Sequence, residues 1–124
     1  MKRILGFLTT LCALVGCQAE GIKFQSVDVA TFAEIIKDSN VVLLDVRTPS
    51  EYQQGHIPGA INVANESIST EAIPELPDKN QLIMVYCRSG RRSKEAAEKL
   101  VKLGYTNIVE FGGILDWKGE IVTD

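Results

Sequence analysis

Strand-length apolar runs alternate with helical patterns along this chain. Residues 41–46 and 81–86 are apolar at nearly every position, which is typical of strands buried on both faces of a parallel sheet. Two shorter apolar runs predict further strands at 61–63 and 107–111. Apolar residues at helical spacing, with capping and breaking residues, predict helices at 29–37, 50–54, 69–76, 91–103 and around Trp117. This order of elements predicts one α/β domain with a mostly parallel sheet.

The segment between the second long run and the clearest predicted helix carries the candidate chemistry. Residues 87–93 read Cys-Arg-Ser-Gly-Arg-Arg-Ser. A strand-to-helix turn of this kind points backbone N–H groups inward, and the helix macrodipole adds positive potential. Together with the guanidinium groups of Arg88, Arg91 and Arg92, these groups favour the thiolate of Cys87, which is the nucleophilic form. The same basic ring predicts a site for a small anion beside the sulfur.

The first residues have the layout of an export signal. The basic pair at positions 2–3 precedes an apolar stretch, 4–15, that is too short to span a bilayer as a helix. Residues 14–17 read Leu-Val-Gly-Cys and resemble the lipobox of bacterial lipoproteins, in which the cysteine is lipidated and becomes the new N-terminus. We therefore predict a signal within residues 1–19 that is cleaved before Cys17, with ordinary cleavage after Ala19 as the alternative.

This signal predicts where the protein resides. An exported lipoprotein is periplasmic and is attached to the membrane only through the lipid on Cys17. The next residue is Gln18 rather than aspartate, which resembles the sorting pattern for the outer membrane of double-membraned bacteria. The folded part is then one domain over residues 22–124, long enough for a single core, and we expect it to be a monomer.

Export also changes the balance of cysteines and charges. Cys12 leaves with the signal and Cys17 is lipidated or lost, so Cys87 is the only free thiol in a compartment where unpaired cysteines are uncommon. Without the two basic residues of the signal, 11 basic residues face 16 acidic ones, and the formal net charge of −5 argues against nucleic acid as a partner. Six of those 11 lie within 88–102, which supports local anion capture. With one histidine and one free cysteine, neither a metal site nor a cofactor is expected.

Three longer motifs follow one another along the chain. Residues 44–49 read Leu-Asp-Val-Arg-Thr-Pro, residues 55–62 read Gly-His-Ile-Pro-Gly-Ala-Ile-Asn, and residues 86–93 read Tyr-Cys-Arg-Ser-Gly-Arg-Arg-Ser. In this order, and with a closing Gly-Gly pair before Trp117, they resemble the single-domain rhodaneses, the thiosulfate sulfurtransferase-like family. The resemblance covers about residues 23–120. It implies a five-stranded parallel sheet flanked by helices on both faces.

The resemblance also implies a sulfurtransferase that works through a persulfide. Cys87 would take the sulfane sulfur of thiosulfate or a similar anionic donor and release sulfite. A second nucleophile, either cyanide or a thiol that can belong to a protein, would then accept the sulfur. The loop residues expected to bind the donor and the persulfide are Arg88, Ser89, Gly90, Arg91 and Arg92.

Individual roles within this loop differ. Arg88 and Arg91 are expected to meet the sulfonate end of the donor. For Arg92 two roles stay open, one in substrate binding and one in fastening the loop to the domain. The hydroxyl of Ser89 can donate to the sulfur. That of Ser93 can do the same, although capping the following helix is the favoured interpretation.

The other motif residues are expected to support the site. Asp45 and Arg47 also follow a strand, at the sheet edge where ligands bind in such folds, and an ion pair that braces the loop is favoured over catalytic charges. The lone His56 is expected to stabilise a turn rather than to act as a base for Cys87. Trp117 is expected to have a packing role.

Two rival functions were weighed, and the loop spacing decides against the first of them. A phosphatase or arsenate reductase related to the dual-specificity phosphatases would use a Cys-x5-Arg loop, whereas Cys87 to Arg92 is Cys-x4-Arg. The second rival is a module without turnover that binds a partner or carries a persulfide. Retention of the cysteine within a full basic loop favours the enzyme.

Overall fold

The structure, a computed structural model, describes residues 23–123. The predicted signal, its cleavage site and the lipidation of Cys17 lie outside the described residues and stay predictions. Within the described part, no helix combines the length and the apolar character needed to cross a membrane.

Five strands form one parallel sheet. In chain order they are β1 (Gln25–Ser26), β2 (Val42–Asp45), β3 (Ile61–Asn62), β4 (Leu82–Cys87) and β5 (Asn107–Gly113). Their order across the sheet is β1-β5-β4-β2-β3, and every neighbouring pair is parallel. The long apolar run of β4 therefore lies at the centre, where both faces of the strand are covered.

Residues 23–123 contain three α-helices: α1 (Val29–Ile35), α2 (Pro49–Gln54) and α3 (Arg91–Lys102). The side chain of Asp28 caps α1 by accepting the N–H of Thr31. A capping box between Thr48 and Glu51 begins α2. These bounds agree with the predicted helices to within two residues, as expected at helix ends.

The strands separate two apolar cores. Alternate residues of β4 point to opposite faces, so that Ile83, Val85 and Cys87 pack beneath α3, whereas Met84 and Tyr86 pack with Phe32 of α1 on the other face. The predicted five-stranded sheet with helices on both faces is confirmed.

Three local predictions differ from the structure. No helix forms over 69–76, where turns and bends replace it, because Pro74 has no N–H to donate and Ile73 and Leu76 are buried individually beside α3. Strand β5 extends two residues beyond the predicted 107–111, since Gly112 and Gly113 pair with Tyr86 and Cys87 after a β-bulge. The short helix predicted around Trp117 is a 3₁₀ turn, Ile114–Asp116, that ends directly before it.

Candidate active site

Cys87 is the last residue of β4, and its side chain is buried at the edge of the core beneath α3. The backbone N–H of Gly90 donates to its Sγ at 3.0 Å. On the opposite strand, the carbonyl oxygen of Gly112 lies 3.6 Å from the same sulfur. The thiol is therefore held between a loop amide and the end of β5.

Glycine backbones shape the loop around this sulfur. Gly90, the N-cap residue of α3, has φ +128°, a conformation that side-chain-bearing residues rarely adopt. A Cβ on Gly113 would fall inside the van der Waals radius of the backbone carbonyl of Arg88 and would lie 2.5 Å from the N atom of Ser89. The N–H of Leu115 then donates to the Arg88 carbonyl at 3.2 Å. The end of β5 therefore packs directly against the backbone of the loop.

An ion pair ties the far end of the loop to α2. Nη1 and Nη2 of Arg92 donate to the two carboxylate oxygens of Glu51 at 2.7 and 3.1 Å. Hydrogen bonding from Arg92, with help from Thr48, lowers the pKa of Glu51 to about 2, and the pair in turn raises the pKa of Arg92. This contact is the one expected if Arg92 fastens the loop to the domain, and its role in substrate binding stays a prediction.

Sequence reasoning gave no role to Glu51. The spacing Thr48-x-x-Glu51 is a capping-box signal, which could have placed this carboxylate at the start of a helix. Its partner, Arg92, is 41 residues away along the chain, and local patterns carry no information about such a contact.

Asp45 and Arg47 form a buried pair beside the loop. The carboxylate of Asp45 accepts hydrogen bonds from the backbone N–H, Nε and Nη2 of Arg47, the last at 2.6 Å. Nη2 also donates to the carbonyl of Gly55 at 2.7 Å, and Asn62 donates to the carbonyls of both paired residues. The predicted ion pair is therefore present, and its hydrogen bonds fix the segment that follows β2, whereas its bracing of the 88–92 loop stays a prediction.

The remaining loop side chains point to different places. Arg88 is exposed and borders a cavity of about 300 Å³ that Arg47, Glu51 and Trp117 also line. Arg91 does not line this cavity, because its guanidinium is 74% exposed and pairs with Glu95 at 2.8 Å along α3. Ser89 is exposed at the tip of the loop. The structure therefore brings Arg88, but not Arg91, to a cavity at the start of the loop.

Ser93 is the third residue of α3 rather than its cap. The N-cap residue is Gly90, which has no side chain to accept a hydrogen bond. The hydroxyl of Ser93 lies 2.8 Å from the Gly90 carbonyl and 2.8 Å from Oε1 of Glu110. It thus supports the loop from below.

His56 and Trp117 occupy structural positions. The ring of His56 is buried and stacks on that of Tyr52 at 3.7 Å, and its Nδ1 donates to the Tyr52 carbonyl at 2.8 Å. Its backbone also pairs with Val122 near the end of the chain. Trp117 packs edge-on against Phe32 with ring centroids 5.7 Å apart. These contacts are those of a turn-stabilising histidine and of a partly buried tryptophan that packs against the core.

The Glu51–Arg92 pair predicts a pH-dependent contribution to stability. Folding lowers the pKa of Glu51 from 4.5 to about 2, so its contribution is complete above pH 4.5 and is lost as the pH falls through 2. At pH 7 the Glu51→Gln variant should have a free energy of unfolding lower by on the order of 2 kcal/mol, a figure reduced for partial exposure. Denaturant unfolding between pH 7 and 2 should show this gap closing.

The matched control is Glu34→Gln, which removes an ion pair with Lys37 in which both side chains are at least 70% exposed. That variant should differ little from the wild type at any pH. If the loss of unfolding free energy in Glu51→Gln stayed constant from pH 7 to 2, the assigned ion pair would be contradicted.

Comparison with known proteins agrees with this geometry. Residues 28–120 match the Rhodanese-like domain family. The thiosulfate sulfurtransferase PspE of Escherichia coli is 42% identical over 73 residues, which cover 59% of this chain and 70% of that protein. The thiosulfate sulfurtransferase GlpE of Pseudoalteromonas translucida is 31% identical over 96 residues, with coverage of 77% and 90%.

A solved structure described as a rhodanese with anions, from E. coli, has a TM-score of 0.61 and 38% identity, and the match covers 68% of this chain and 99% of that one. The family match spans most of the chain and includes the loop after β4. The chain therefore belongs to the rhodanese-like domain family, and it is a rhodanese-type sulfurtransferase.

Proposed function

We propose that Cys87 carries sulfur as a persulfide between an anionic donor and a nucleophilic acceptor. The Cys87 thiolate attacks the outer sulfur of thiosulfate, a new S–S bond forms, and the original S–S bond breaks with its electron pair leaving on sulfite. Cyanide or a thiolate then attacks the outer sulfur of the persulfide. The product leaves with that sulfur, and the Cys87 thiolate is regenerated.

One observation carries this proposal: the N–H of Gly90 points at the sulfur of Cys87 at 3.0 Å, at the end of a central strand. Such a preorganised donor stabilises negative charge on the attacking sulfur and, after transfer, on the persulfide. The N-terminus of the 12-residue helix α3 adds positive potential at the same place.

The donor is proposed to be thiosulfate or a similar small anion. Arg88 borders the cavity beside the loop, and its exposed guanidinium can pair with a sulfonate group. The names of PspE and GlpE as thiosulfate sulfurtransferases support the same donor. The acceptor is proposed to be a thiol, with cyanide as its assay substitute.

Phosphatase chemistry fits the loop less well. In a Cys-x5-Arg phosphatase the arginine clamps the tetrahedral phosphate, whereas here Arg92 follows after four residues and both of its terminal nitrogens are bonded to Glu51. A bidentate arginine–carboxylate pair is not readily exchanged for a ligand contact. The geometry thus favours sulfur transfer.

A direct comparison of two activities tests this function. We expect the full chain to form thiocyanate from thiosulfate and cyanide well above the protein-free rate, and to hydrolyse p-nitrophenyl phosphate at background. Efficient phosphate hydrolysis would replace the proposal with a phosphatase. Absence of both activities would favour the rival in which the domain is a binding or carrier module.

A further inference from the structure

Glu110 is a buried carboxylate in an otherwise apolar strand. It is 1% exposed, and its neighbours in β5, Val109 and Phe111, belong to the core. Burial of a carboxylate costs free energy, and an apolar residue of similar size at such a place is often neutral or stabilising. Glu110 therefore needs an explanation other than core stability.

The carboxylate of Glu110 faces the first turn of α3. Its Oε1 is 2.8 Å from the hydroxyl of Ser93, which is itself fully buried, and its Oε2 is 3.5 Å from Nζ of Lys94. This first turn contains no acidic residue but begins with Arg91 and Arg92 at the positive end of the helix dipole. Glu110 supplies, from another strand, the negative charge that the turn lacks.

The same turn controls the amide that contacts the nucleophile. The Gly90 carbonyl accepts a hydrogen bond from the Lys94 N–H at 3.2 Å, and it shares with Oε1 of Glu110 the single proton of the Ser93 hydroxyl, which lies 2.8 Å from both oxygens. The N–H of Gly90 donates to Sγ of Cys87 at 3.0 Å. Two residues anchored on Glu110 thus hold the carbonyl of the residue whose N–H contacts the sulfur.

We propose that Glu110 is a positioning residue for sulfur transfer: through Ser93 and Lys94 it docks the first turn of α3 on β5, and so keeps the Gly90 amide directed at Cys87. This inference rests on the proposed persulfide function of Cys87. Glu110 itself touches neither the sulfur nor the donor in this account. Its effect is exerted on the geometry of the loop.

The variants Glu110→Leu and Glu110→Gln separate positioning from core stability. Leucine removes both anchors, and we expect kcat/KM for thiosulfate to fall about fivefold to tenfold while the melting temperature stays the same or rises. Glutamine keeps an oxygen that can accept from Ser93, and it should retain most of the activity. Ser93→Ala should lose about as much as Glu110→Leu, and the double variant should lose little more, because the two residues act as one unit.

A spectroscopic readout makes the test independent of turnover. In proton–nitrogen NMR spectra, the amide proton resonance of Gly90 should move upfield in Glu110→Leu and Ser93→Ala, as its hydrogen bond to sulfur weakens. The matched control is Ser67→Ala, which removes a similar 2.8 Å hydroxyl–carbonyl contact away from the loop. That variant should change neither the Gly90 resonance nor kcat/KM.

Wild-type kcat/KM together with an unchanged Gly90 resonance in Glu110→Leu would overturn the proposal. A parallel fall of activity and melting temperature would also overturn it, since Glu110 would then only stabilise the core. If the wild type has no sulfurtransferase activity, the proposed function fails, but the Gly90 resonance still reports whether Glu110 positions the loop.

Discussion

Replacement of Cys87 by alanine is expected to abolish sulfur transfer while leaving the domain folded. Removal of the nucleophile from a covalent mechanism should lower kcat by at least ~1,000-fold, down to the protein-free rate. The side chain is small and lies at the edge of the core, so the cost in unfolding free energy should be about 1 kcal/mol. The measurement is thiocyanate formation, with circular dichroism to confirm the fold.

Two further variants control for this effect. Cys87→Ser retains the size of the side chain but offers a weakly nucleophilic hydroxyl, and it should be as inactive as Cys87→Ala. Ser67→Ala, at an exposed position in the 3₁₀ turn Asn65–Ser67, should keep wild-type activity. Equal rates for the wild type and Cys87→Ala would show that the thiol takes no part in turnover.

Replacement of Gly113 by alanine should cause the second large loss of activity. The backbone of this residue, at φ −148°, suits any amino acid, so the obstacle is the contact of the new Cβ with the backbone of Arg88 and Ser89. These backbone atoms cannot move aside as the end of a flexible side chain could, so the loop that begins at Cys87 must shift. We expect Gly113→Ala to lose about 100-fold in kcat/KM, because small displacements at a reacting centre are that costly, and 1–3 kcal/mol in unfolding free energy from overpacking.

Gly104→Ala provides the matched comparison. Gly104 follows α3 with φ +102°, and nothing lies within 4 Å of a Cβ built there. Alanine at this position introduces backbone strain of about 1 kcal/mol without a clash, far from the loop. If Gly104→Ala and Gly113→Ala lose stability alike and both keep full activity, the close approach of β5 to the loop is not needed for catalysis.

The sequence predicts the fold well wherever the signal is local. Strand β4 is a continuous apolar run, and α3 has an apolar stripe that ends at Gly104, so both were predicted within one residue of their bounds. The helix predicted over 69–76 does not form. Its apolar residues pack individually into the core beneath α3, and over a short window their spacing resembles helical periodicity.

In the candidate site, too, the features set by local sequence were predictable and the contacts between distant residues were not. The position of Cys87 follows from its neighbours in sequence. A cysteine between a buried strand and a helix falls at the carboxyl-terminal end of the sheet, where ligands bind in such folds. The contacts of Arg92 with Glu51, and of Ser93 with Glu110, join residues 41 and 17 positions apart. Such pairings depend on how the strands are ordered across the sheet, and no local pattern encodes them. Arg91 pairs along its own helix with Glu95, an i,i+4 contact that was readable from the sequence.

Intact-mass spectrometry of the full chain after brief exposure to thiosulfate detects the proposed persulfide itself. We expect a mass gain of one sulfur atom, located on Cys87 by peptide mapping and lost on addition of cyanide with release of thiocyanate. An unmodified Cys87 in protein that is turning over, or sulfur carried only on another residue, would contradict it.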